Sequence, residues 1–334
     1  MTSAVPPSVS IVIPSWNGRL LLEEMFPSLL VATKEFHEKT GGPWEVIVVD
    51  ETIPWIETIP EKRVKLITRR RKNGFALACN LGFSACRYDT VILLNNDLTV
   101  DPQFILALLP HFQDPRVFAV TIKSMLRDRS SFYSGGKIGE FRLGFWKAFR
   151  NYDVASEASG SPNGADSPLY SFSVCGSFCA LHRRKLMELG GFEPLMSPFY
   201  WEDVELSYRA WKRGWVIHYE PESVVYLDAA RDPRESARGL RLDRMNTRNR
   251  LIFLWKNLHD PAMWLAHLGA IPVLCLQAVI TLRAAFLLGL WDSVCRLPAI
   301  LSKRRQEGRA AKVRDSAIRR LFSELKRKSF VIIR

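Results

Sequence analysis

Residues 90–102 read TVILLNNDLTVDP, an apolar, β-branched run that ends in two asparagines and an aspartate. Similar runs occur earlier, as VSIVIP at residues 9–14 and WEVIVVD at residues 44–50. Between them, residues 19–38 and 73–87 carry apolar side chains at helical spacing. Strands that alternate with helical segments predict an α/β fold with a mostly parallel sheet and helices on both faces.

Polar residues follow each of the predicted strands. Because an open parallel sheet binds ligands beyond the carboxyl ends of its strands, these residues are expected to share one edge. Any one of them is typical of ordinary turn chemistry. Their recurrence at successive strand ends predicts a ligand site built from Pro14, Ser15, Trp16 and Asn17, then Asp50 and Glu51, then residues 69–74, then Asn96 and Asp97.

Asp97 comes after a fully apolar strand and the polar turn residues Asn95 and Asn96, at the carboxyl edge of the predicted sheet. A carboxylate and the oxygens of a diphosphate suit a hard divalent cation, Mg2+ or Mn2+, which would neutralise a leaving nucleoside diphosphate. An aspartate here is equally typical of a cap on the turn that leads to Asp101. The residues alone leave both interpretations open.

Between residues 130 and 168 the periodicity fades into Gly, Ser, Asn and aromatic residues. This composition is typical of a mobile loop beside a binding cleft, and we predict one here. Regular structure is expected to return with a strand over residues 174–182 and a helix over residues 202–212.

The positive charge of the chain is concentrated at its carboxyl end. The 334 residues include 47 Lys and Arg against 34 Asp and Glu, a formal charge of +13. Residues 303–334 hold twelve of the bases and three of the acids, which leaves only +4 for residues 1–302. A globally basic binding face is therefore disfavoured, and we predict no nucleic-acid partner.

The cysteines and the first residues favour the cytosol. The six cysteines lie mostly in apolar runs, with no CxxC pair and no His at zinc-ligand spacing, which is typical of reduced core residues. The opening MTSAVPPSVS lacks a charged segment followed by an apolar one, so we expect no export.

Residues 259–334 are predicted to form a helical, membrane-associating region that follows a main domain over residues 1–258. Residues 261–291 contain Arg283 as their only formal charge and are long enough to span a bilayer. Since proline, histidine and glutamine interrupt them, we favour helices that lie on the membrane or pack against the body. Residues 310–325 then predict a basic amphipathic helix suited to an anionic membrane surface, or alternatively one packed on the body.

Five motifs in this order resemble the inverting family 2 glycosyltransferases of the GT-A fold, and within them the bacterial rhamnosyltransferase-like branch. The resemblance covers roughly residues 8–258. The motifs are SIVIPSWNGRLLLEEMFPSL, VIVVDE, NGFALACNLGF, VILLNNDLTVDP and GSFCALHRRKLMELGGFEPLMSPFYWEDVELSYRAWKRGW.

The resemblance implies a role for particular residues. Those implied to bind the nucleotide are Pro14, Trp16, Asn17, Asp50, Asn73, Gly74 and Asn96, with the less specific Arg248 near the diphosphate. Asp97 would be the metal ligand. Glu202 and Asp203 match the acidic pair on the acceptor side, and Asp203 is the predicted general base.

The assignment of Asp203 also follows from chemistry. Inversion by a single displacement needs a base opposite the leaving diphosphate, to take the proton of the attacking hydroxyl. Tyr200 and Trp201 precede the acidic pair and are candidates for stacking on an acceptor sugar. Acids in the first turn of a helix are also favoured by its dipole without any catalytic role. Glu205 and Arg209, one turn apart, predict a structural ion pair.

Two departures from the family pattern bear on function. After Asp50 the family usually continues with a small polar run, whereas this chain has Glu51, Thr52, Ile53, Pro54 and Trp55. A metal-binding His often found in the family is replaced by Leu227, and Asp228 is a candidate substitute ligand. These departures put nucleotide selectivity and metal dependence in question and leave an inactive member as an alternative.

The sequence therefore predicts an enzyme that moves a sugar from a UDP- or dTDP-linked donor to a hydroxyl of a lipid-linked or polymeric glycan in cell-surface polysaccharide synthesis. We expect it in the cytoplasm, peripheral on the inner face of the cell membrane. A sugar-phosphate nucleotidylyltransferase is a rival, but PSWNGR after the first strand lacks the Gly-rich basic loop of that class. A non-enzymatic binding protein is the other alternative.

Overall fold

A computed structural model describes residues 6–50, 62–68, 74–129, 131–154, 168–228, 239–328 and 331–333. Its strands are β1 (Val9–Ser15), β2 (Trp44–Asp50), β3 (Val64–Thr68), β4 (Thr90–Leu94), β5 (Leu98–Val100), β6 (Val117–Leu126), β7 (Phe132–Ser134), β8 (Gly136–Arg142), β9 (Phe145–Val154), β10 (Phe178–His182), β11 (Val216–Leu227) and β12 (Val331–Ile333). Its α-helices are α1 (Arg19–Thr40), α2 (Phe75–Ala85), α3 (Phe104–Leu108), α4 (Arg183–Leu189), α5 (Glu202–Lys212), α6 (Leu240–Asn257), α7 (Pro261–Ile280), α8 (Ala284–Val294), α9 (Leu297–Ala310) and α10 (Asp315–Leu325).

The main sheet has the strand order β3-β2-β1-β4-β10-β6-β11-β5, and β7 pairs with β6. Strands β3, β2, β1 and β4 are mutually parallel, as the sequence predicts. Strand β10 then enters antiparallel between β4 and β6, while β11 runs parallel to β6 and antiparallel to β5. The carboxyl ends of β1, β2 and β4 consequently lie at one edge of the sheet.

Helices cover both faces of this sheet. Alternate residues of β1 point to opposite faces because the side-chain period of a strand is two. Val9, Ile11 and Ile13 pack with α1 and α3, whereas Val12 packs with α2 in the larger core that also includes α5 and α6. The prediction of an α/β fold with helices on both faces is confirmed.

Residues 130–168 contain more regular structure than their composition predicts. Strands β7, β8 and β9 occupy the described part, and β8 and β9 form an antiparallel pair that is extended by β12 from the carboxyl end of the chain. Aromatic side chains make these strands stable, since Trp146 and Tyr152 are buried. The prediction of a loop is wrong up to Val154, and residues 155–167 lie outside the described part.

The basic amphipathic helix exists as α10, but its apolar face packs on the body. Ile318, Phe322 and Leu325 are buried, and the Phe322 ring lies 5.3 Å from that of Phe172 and 5.4 Å from that of Trp211, centroid to centroid. The prediction that this helix presents its apolar face to a membrane is therefore wrong. The alternative weighed from the sequence, packing against the body, is the observed one.

Helix α7 is the apolar helix expected from residues 261–291. Within the described residues it is the one helix that by length and composition could cross a membrane, with a mean hydropathy of 1.8 and only 17% of its most apolar window buried. Helices α8 and α9 pass the same test only together, across a bend of 69°.

A buried ion-pair network joins α5 to α6 and α9. The predicted pair of Glu205 and Arg209 is confirmed at 2.8 Å, and Lys256 of α6 donates to Glu205 at 2.7 Å and to Glu193 at 2.5 Å. Lys303 of α9 also reaches Glu193, at 2.8 Å. Burial alone would raise the pKa of Glu205, but the charges of Arg209 and Lys256 lower it to about 2. The network therefore holds charged partners together inside the core.

We expect Lys256→Met to lower the free energy of unfolding by about 3–5 kcal/mol, because it leaves buried carboxylates with fewer cationic partners. Lys34→Met is the matched control, since Lys34 pairs with Glu38 on an exposed surface at 3.7 Å. That control should change stability by less than about 0.5 kcal/mol. Urea unfolding followed by circular dichroism measures both, and equal effects would contradict a structural role for the network.

Candidate active site

The nucleotide side of the candidate site is formed by the ends of β1, β2 and β4. Ser15 is the partner of Asp50 in the parallel register, and the Asn96 side-chain amide donates to Ser15 Oγ at 3.2 Å. Asp50 is buried, while Trp16 and Asn17 at the tip of the β1 turn are exposed. Pro14 is buried within β1. The structure thus brings most of the predicted nucleotide residues together.

The backbone conformation and the close packing of Gly74, at the start of α2, both require a glycine. Its φ of +88° lies in the region that favours glycine, and a Cβ there would come within 2.7 Å of Pro198 Cα. The Phe75 amide donates to the Pro198 carbonyl at 3.0 Å. Gly74 therefore lets the loop before α5 approach α2. Asn73 and the run from Glu51 to Trp55 lie outside the described residues.

Asp97 and Asp228 lie at the same end of two paired strands. Leu98 of β5 is the partner of Leu227 in β11, antiparallel, so the residue before Leu98 and the residue after Leu227 are neighbours in register. Those residues are Asp97 and Asp228. This register supports Asp228 as a substitute for the histidine that is absent at Leu227.

The donor chemistry of this pair fits a hard divalent cation. Carboxylate oxygens are the ligands that Mg2+ and Mn2+ prefer, and Mg2+ usually takes one or two of them together with phosphate oxygens and water. Among the described residues no group of three or more His, Cys, Asp or Glu could hold a metal ion by itself. Asp97 and Asp228 could hold such a cation together with diphosphate oxygens and water.

The loop before β10 connects the strand end at Asn95 to the predicted base. The Asn95 amide donates to the Ser177 carbonyl at 2.8 Å, and the Gly176 amide donates to Asp203 Oδ2 at 3.2 Å. A Cβ on Gly176 would lie 3.2 Å from Asp203 Cβ, so a larger residue would crowd the carboxylate. One short loop thus places Asp203 beside the Asn95–Asp97 turn.

Glu202 and Asp203 lie in different environments although they are adjacent. Asp203 is partly exposed, and burial raises its pKa while amides of Val204 and Gly176 oppose that shift. Glu202 is 6% exposed, and its Oε2 has no hydrogen-bond partner within the described part of the chain. Burial, together with the charge of Asp203, raises the pKa of Glu202 to about 8. Asp203 is therefore the better candidate base, and Glu202 holds its proton at neutral pH.

We expect Glu202→Gln to stabilise the fold increasingly as the pH rises. A carboxyl whose pKa is raised by folding binds more protons in the folded state, so it costs stability between the ordinary glutamate pKa and about 8. The variant should gain at least about 1 kcal/mol over the native protein at pH 8, and little at pH 4. Thermal unfolding across this range measures the difference, and a gain independent of pH would contradict the assigned protonation state.

Tyr200 and Trp201 were both predicted to contact an acceptor sugar, but their environments in the structure differ. Trp201 is 2% exposed, stacks on Phe253 with ring centroids 5.4 Å apart, and donates from Nε1 to Asn246 at 2.6 Å. The Trp201 ring packs in the core, so the prediction that it stacks on an acceptor sugar is wrong, and stacking by Tyr200 stays a prediction. Tyr200 remains half-buried at the entrance to α5.

Asn249 is a site residue that the sequence reasoning missed. It is fully buried, and its side-chain amide donates to the carbonyls of Met196, Phe199 and Tyr200 at 2.7–2.9 Å. Arg248 donates to the Ser197 carbonyl at 2.7 Å, so it also supports the loop before α5. The only signal in the sequence was a lone asparagine between two arginines, which is common on solvated helix faces.

Comparison with known proteins identifies the family. The model of "Glycosyl transferase family 2" matches residues 10–190, and the chain belongs to that family of glycosyltransferases. It is 25% identical over 234 residues to polypeptide N-acetylgalactosaminyltransferase 11 of Xenopus tropicalis, covering 66% of this chain and 38% of that protein. It is 30% identical over 129 residues to undecaprenyl-phosphate 4-deoxy-4-formamido-L-arabinose transferase of Pectobacterium atrosepticum, covering 36% of this chain and 38% of that one.

A solved structure shows the same fold. The crystal structure of GalNAc-T7 with UDP, GalNAc and Mn2+ superposes with a TM-score of 0.55 and 17% identity, covering 76% of this chain and 49% of that one. The predicted GT-A fold is confirmed. The chain spans less than half the length of these relatives, so their activities do not transfer to it as a whole.

Proposed function

We propose that the protein is an inverting glycosyltransferase that moves a sugar from a UDP- or dTDP-linked donor to a hydroxyl of a lipid-linked or polymeric glycan. The observation that carries this proposal is the loop that holds Asp203 beside the Asn95–Asp97 turn. A donor site at strand ends and a carboxylate within one loop of it are what a single displacement requires.

Each residue then has a chemical task. Asp97 and Asp228 would hold Mg2+ or Mn2+, and such a cation would supply positive charge to the leaving diphosphate. Asp50, Trp16, Asn17 and residues 73–74 hold the nucleotide, and Asp203 removes the proton of the attacking hydroxyl. We assign these tasks to residues 1–258 as the catalytic domain, with Tyr200 at the acceptor side.

The branch, the acceptor and the location are further parts of the proposal. We place the protein in the bacterial rhamnosyltransferase-like branch and in cell-surface polysaccharide synthesis, on the strength of the motif resemblance. Residues 259–334 are proposed to bring the enzyme to the cytoplasmic face of the membrane. The low burial of α7 supports this, whereas α10 does not contribute its apolar face.

A donor screen tests the proposal. Purified protein is incubated with several UDP- and dTDP-sugars, Mn2+ and a bacterial lipid extract, and the release of nucleoside diphosphate and the labelled product are measured. We expect transfer from one donor and a product of inverted anomeric configuration. No hydrolysis or transfer with any donor would favour the alternative of an inactive, GT-A-like binding protein. The presence of Leu227 in place of a metal-binding histidine is the observation in favour of that alternative.

A further inference from the structure

A basic pocket lies away from the candidate active site, between α9 and the junction of α6 with α7. Its volume is about 500 Å3, and it is lined by His259, Leu301, Arg304, Arg305, Gly308 and Arg309. The lining residues of α9 recur at intervals of one turn, so they form one face of that helix. Three arginines therefore converge on a cavity large enough for a small phosphorylated group.

The acids around this pocket are buried and paired with other cations, as Asp315, which acts electrostatically on Arg304, pairs with Lys212 at 2.7 Å. Among the ion pairs that the structure describes, none involves the three arginines of the pocket. Glu307 is the acid on the same helix, and it is buried in a pair with Arg213 at 2.8 Å. Arg305 and Arg309 are exposed. The pocket thus presents positive charge to solvent.

Arg304 connects the pocket to α7. Its Nη1 donates to the carbonyls of Trp255 and Leu258 at 2.8 and 2.6 Å, which fixes the side chain at the end of α6. Its guanidinium carbon lies 4.3 Å from the centroid of the Trp264 ring, on the first turn of α7. The basic pocket and the apolar helix are therefore in direct contact.

Beyond Trp264 the surface is apolar. Leu268 lies one turn further along the same face of α7 and is exposed. Further exposed apolar side chains of α7, of the turn after it and of α8 are Leu265, Val273, Leu276, Val279, Ile280, Leu282 and Trp291. A soluble monomer rarely exposes so many large apolar side chains together, so this surface is expected to have a partner.

We propose that the pocket binds the phosphate of an anionic phospholipid headgroup while the exposed face of α7 lies at the boundary of the acyl chains. Arginine suits phosphate because its guanidinium donates two parallel hydrogen bonds. A bilayer surface presents phosphate groups next to hydrocarbon, as the pocket and the apolar face of α7 are next to each other. A second copy of this chain fits less well, since paired pockets would bring like charges together. This inference rests on the proposed function only for the location at a membrane.

Vesicle co-sedimentation of the full chain tests the inference. The native protein should bind vesicles of phosphatidylglycerol and phosphatidylcholine and should bind pure phosphatidylcholine weakly. Arg305→Gln with Arg309→Gln should lower the partition coefficient about 25-fold, about fivefold for each arginine removed. Leu276→Asp with Val279→Asp should lower it at least about tenfold, because it places charge on the apolar face.

The matched control is Arg319→Gln with Arg320→Gln, which removes the same charge from the exposed side of α10. We expect it to bind within about twofold of the native protein. Equal losses in both arginine pairs would overturn the pocket. Inorganic phosphate should release the native protein more than chloride of equal ionic strength does, because it competes for the arginines, and equal release by the two salts would also overturn the pocket. Full binding by the α7 variant would overturn the apolar contact. Donor hydrolysis in solution, measured in each variant, reports separately on the proposed function.

Discussion

Asp203→Asn should lower the rate of sugar transfer about 10³-fold while leaving the KM of the donor unchanged. The amide keeps the size of the side chain but cannot take a proton, and a positioned general base contributes about 10²–10⁴-fold. Donor binding should survive because the strand ends that hold the nucleotide are untouched. Initial rates with the donor identified by screening, at saturating acceptor, measure the loss.

Glu202→Gln is the matched control for this prediction, since it makes the same chemical change one residue away. Because Glu202 is buried and its pKa is raised to about 8, the variant should lose much less activity than Asp203→Asn. If Asp203→Asn retained transfer, the base assignment would be wrong. If Glu202→Gln had the larger effect, the base would be Glu202 instead.

The pH dependence of transfer offers a second check on the same residue. Burial raises the pKa of Asp203, and a base acts only when deprotonated. Activity should therefore fall on the acidic side at a higher pH than an ordinary aspartate would give. The acidic limb should disappear from the residual activity of Asp203→Asn, and a limb that persists would belong to another group.

The parallel half of the sheet was predictable because each strand is a run of β-branched residues bounded by turn residues. The antiparallel insertion of β10 was not, because pairing between distant segments leaves no local pattern. Strands β8 and β9 were missed since their aromatic residues are buried by tertiary contacts rather than by simple alternation, as Trp146 packs on Tyr208 of α5 and Tyr152 on Tyr219 of β11. Helix α10 has the sequence of a membrane-binding helix, and only the position of Phe172 and Trp211 reveals where its apolar face goes.

In the candidate site, too, the residues set by local sequence were predictable and those set by tertiary contacts were not. Residues that end strands were found because strand ends share an edge, and Asp50, Asn96 and Asp97 do lie there. Trp201 was misplaced, because an aromatic before an acidic pair fits a sugar platform and a core position equally well. Asn249 was missed because its task is to bind three carbonyls of a distant loop. Such a role depends on tertiary contacts that the sequence does not display.

Asp97→Asn should lower transfer about 10³-fold, close to 4 kcal/mol of transition-state stabilisation. The amide oxygen is a weaker ligand and carries no charge, so the metal that neutralises the leaving diphosphate is held less tightly. The affinity for the nucleoside diphosphate with Mn2+ should fall as well, whereas its affinity without metal should change little. Titration calorimetry with and without Mn2+ separates these effects from the rate.

Asp101→Asn is the matched control, because Asp101 accepts a hydrogen bond from the Gln103 amide at 3.0 Å and closes the turn before α3. If Asp97 only caps that turn, the two variants should resemble each other and keep metal-dependent binding, because an asparagine oxygen still accepts a capping hydrogen bond. If Asp97 is a ligand, its variant alone should lose metal-dependent binding.

Asp228→Asn then distinguishes two forms of the metal site. If Asp228 replaces the histidine absent at Leu227, its variant should require about 10–100-fold more Mn2+ for half-maximal rate. If the diphosphate and Asp97 hold the metal by themselves, the requirement should not change. Loss in the Asp97 variant with no change in the Asp228 variant would mean that the register at Leu98 and Leu227 brings two carboxylates together without making both of them ligands.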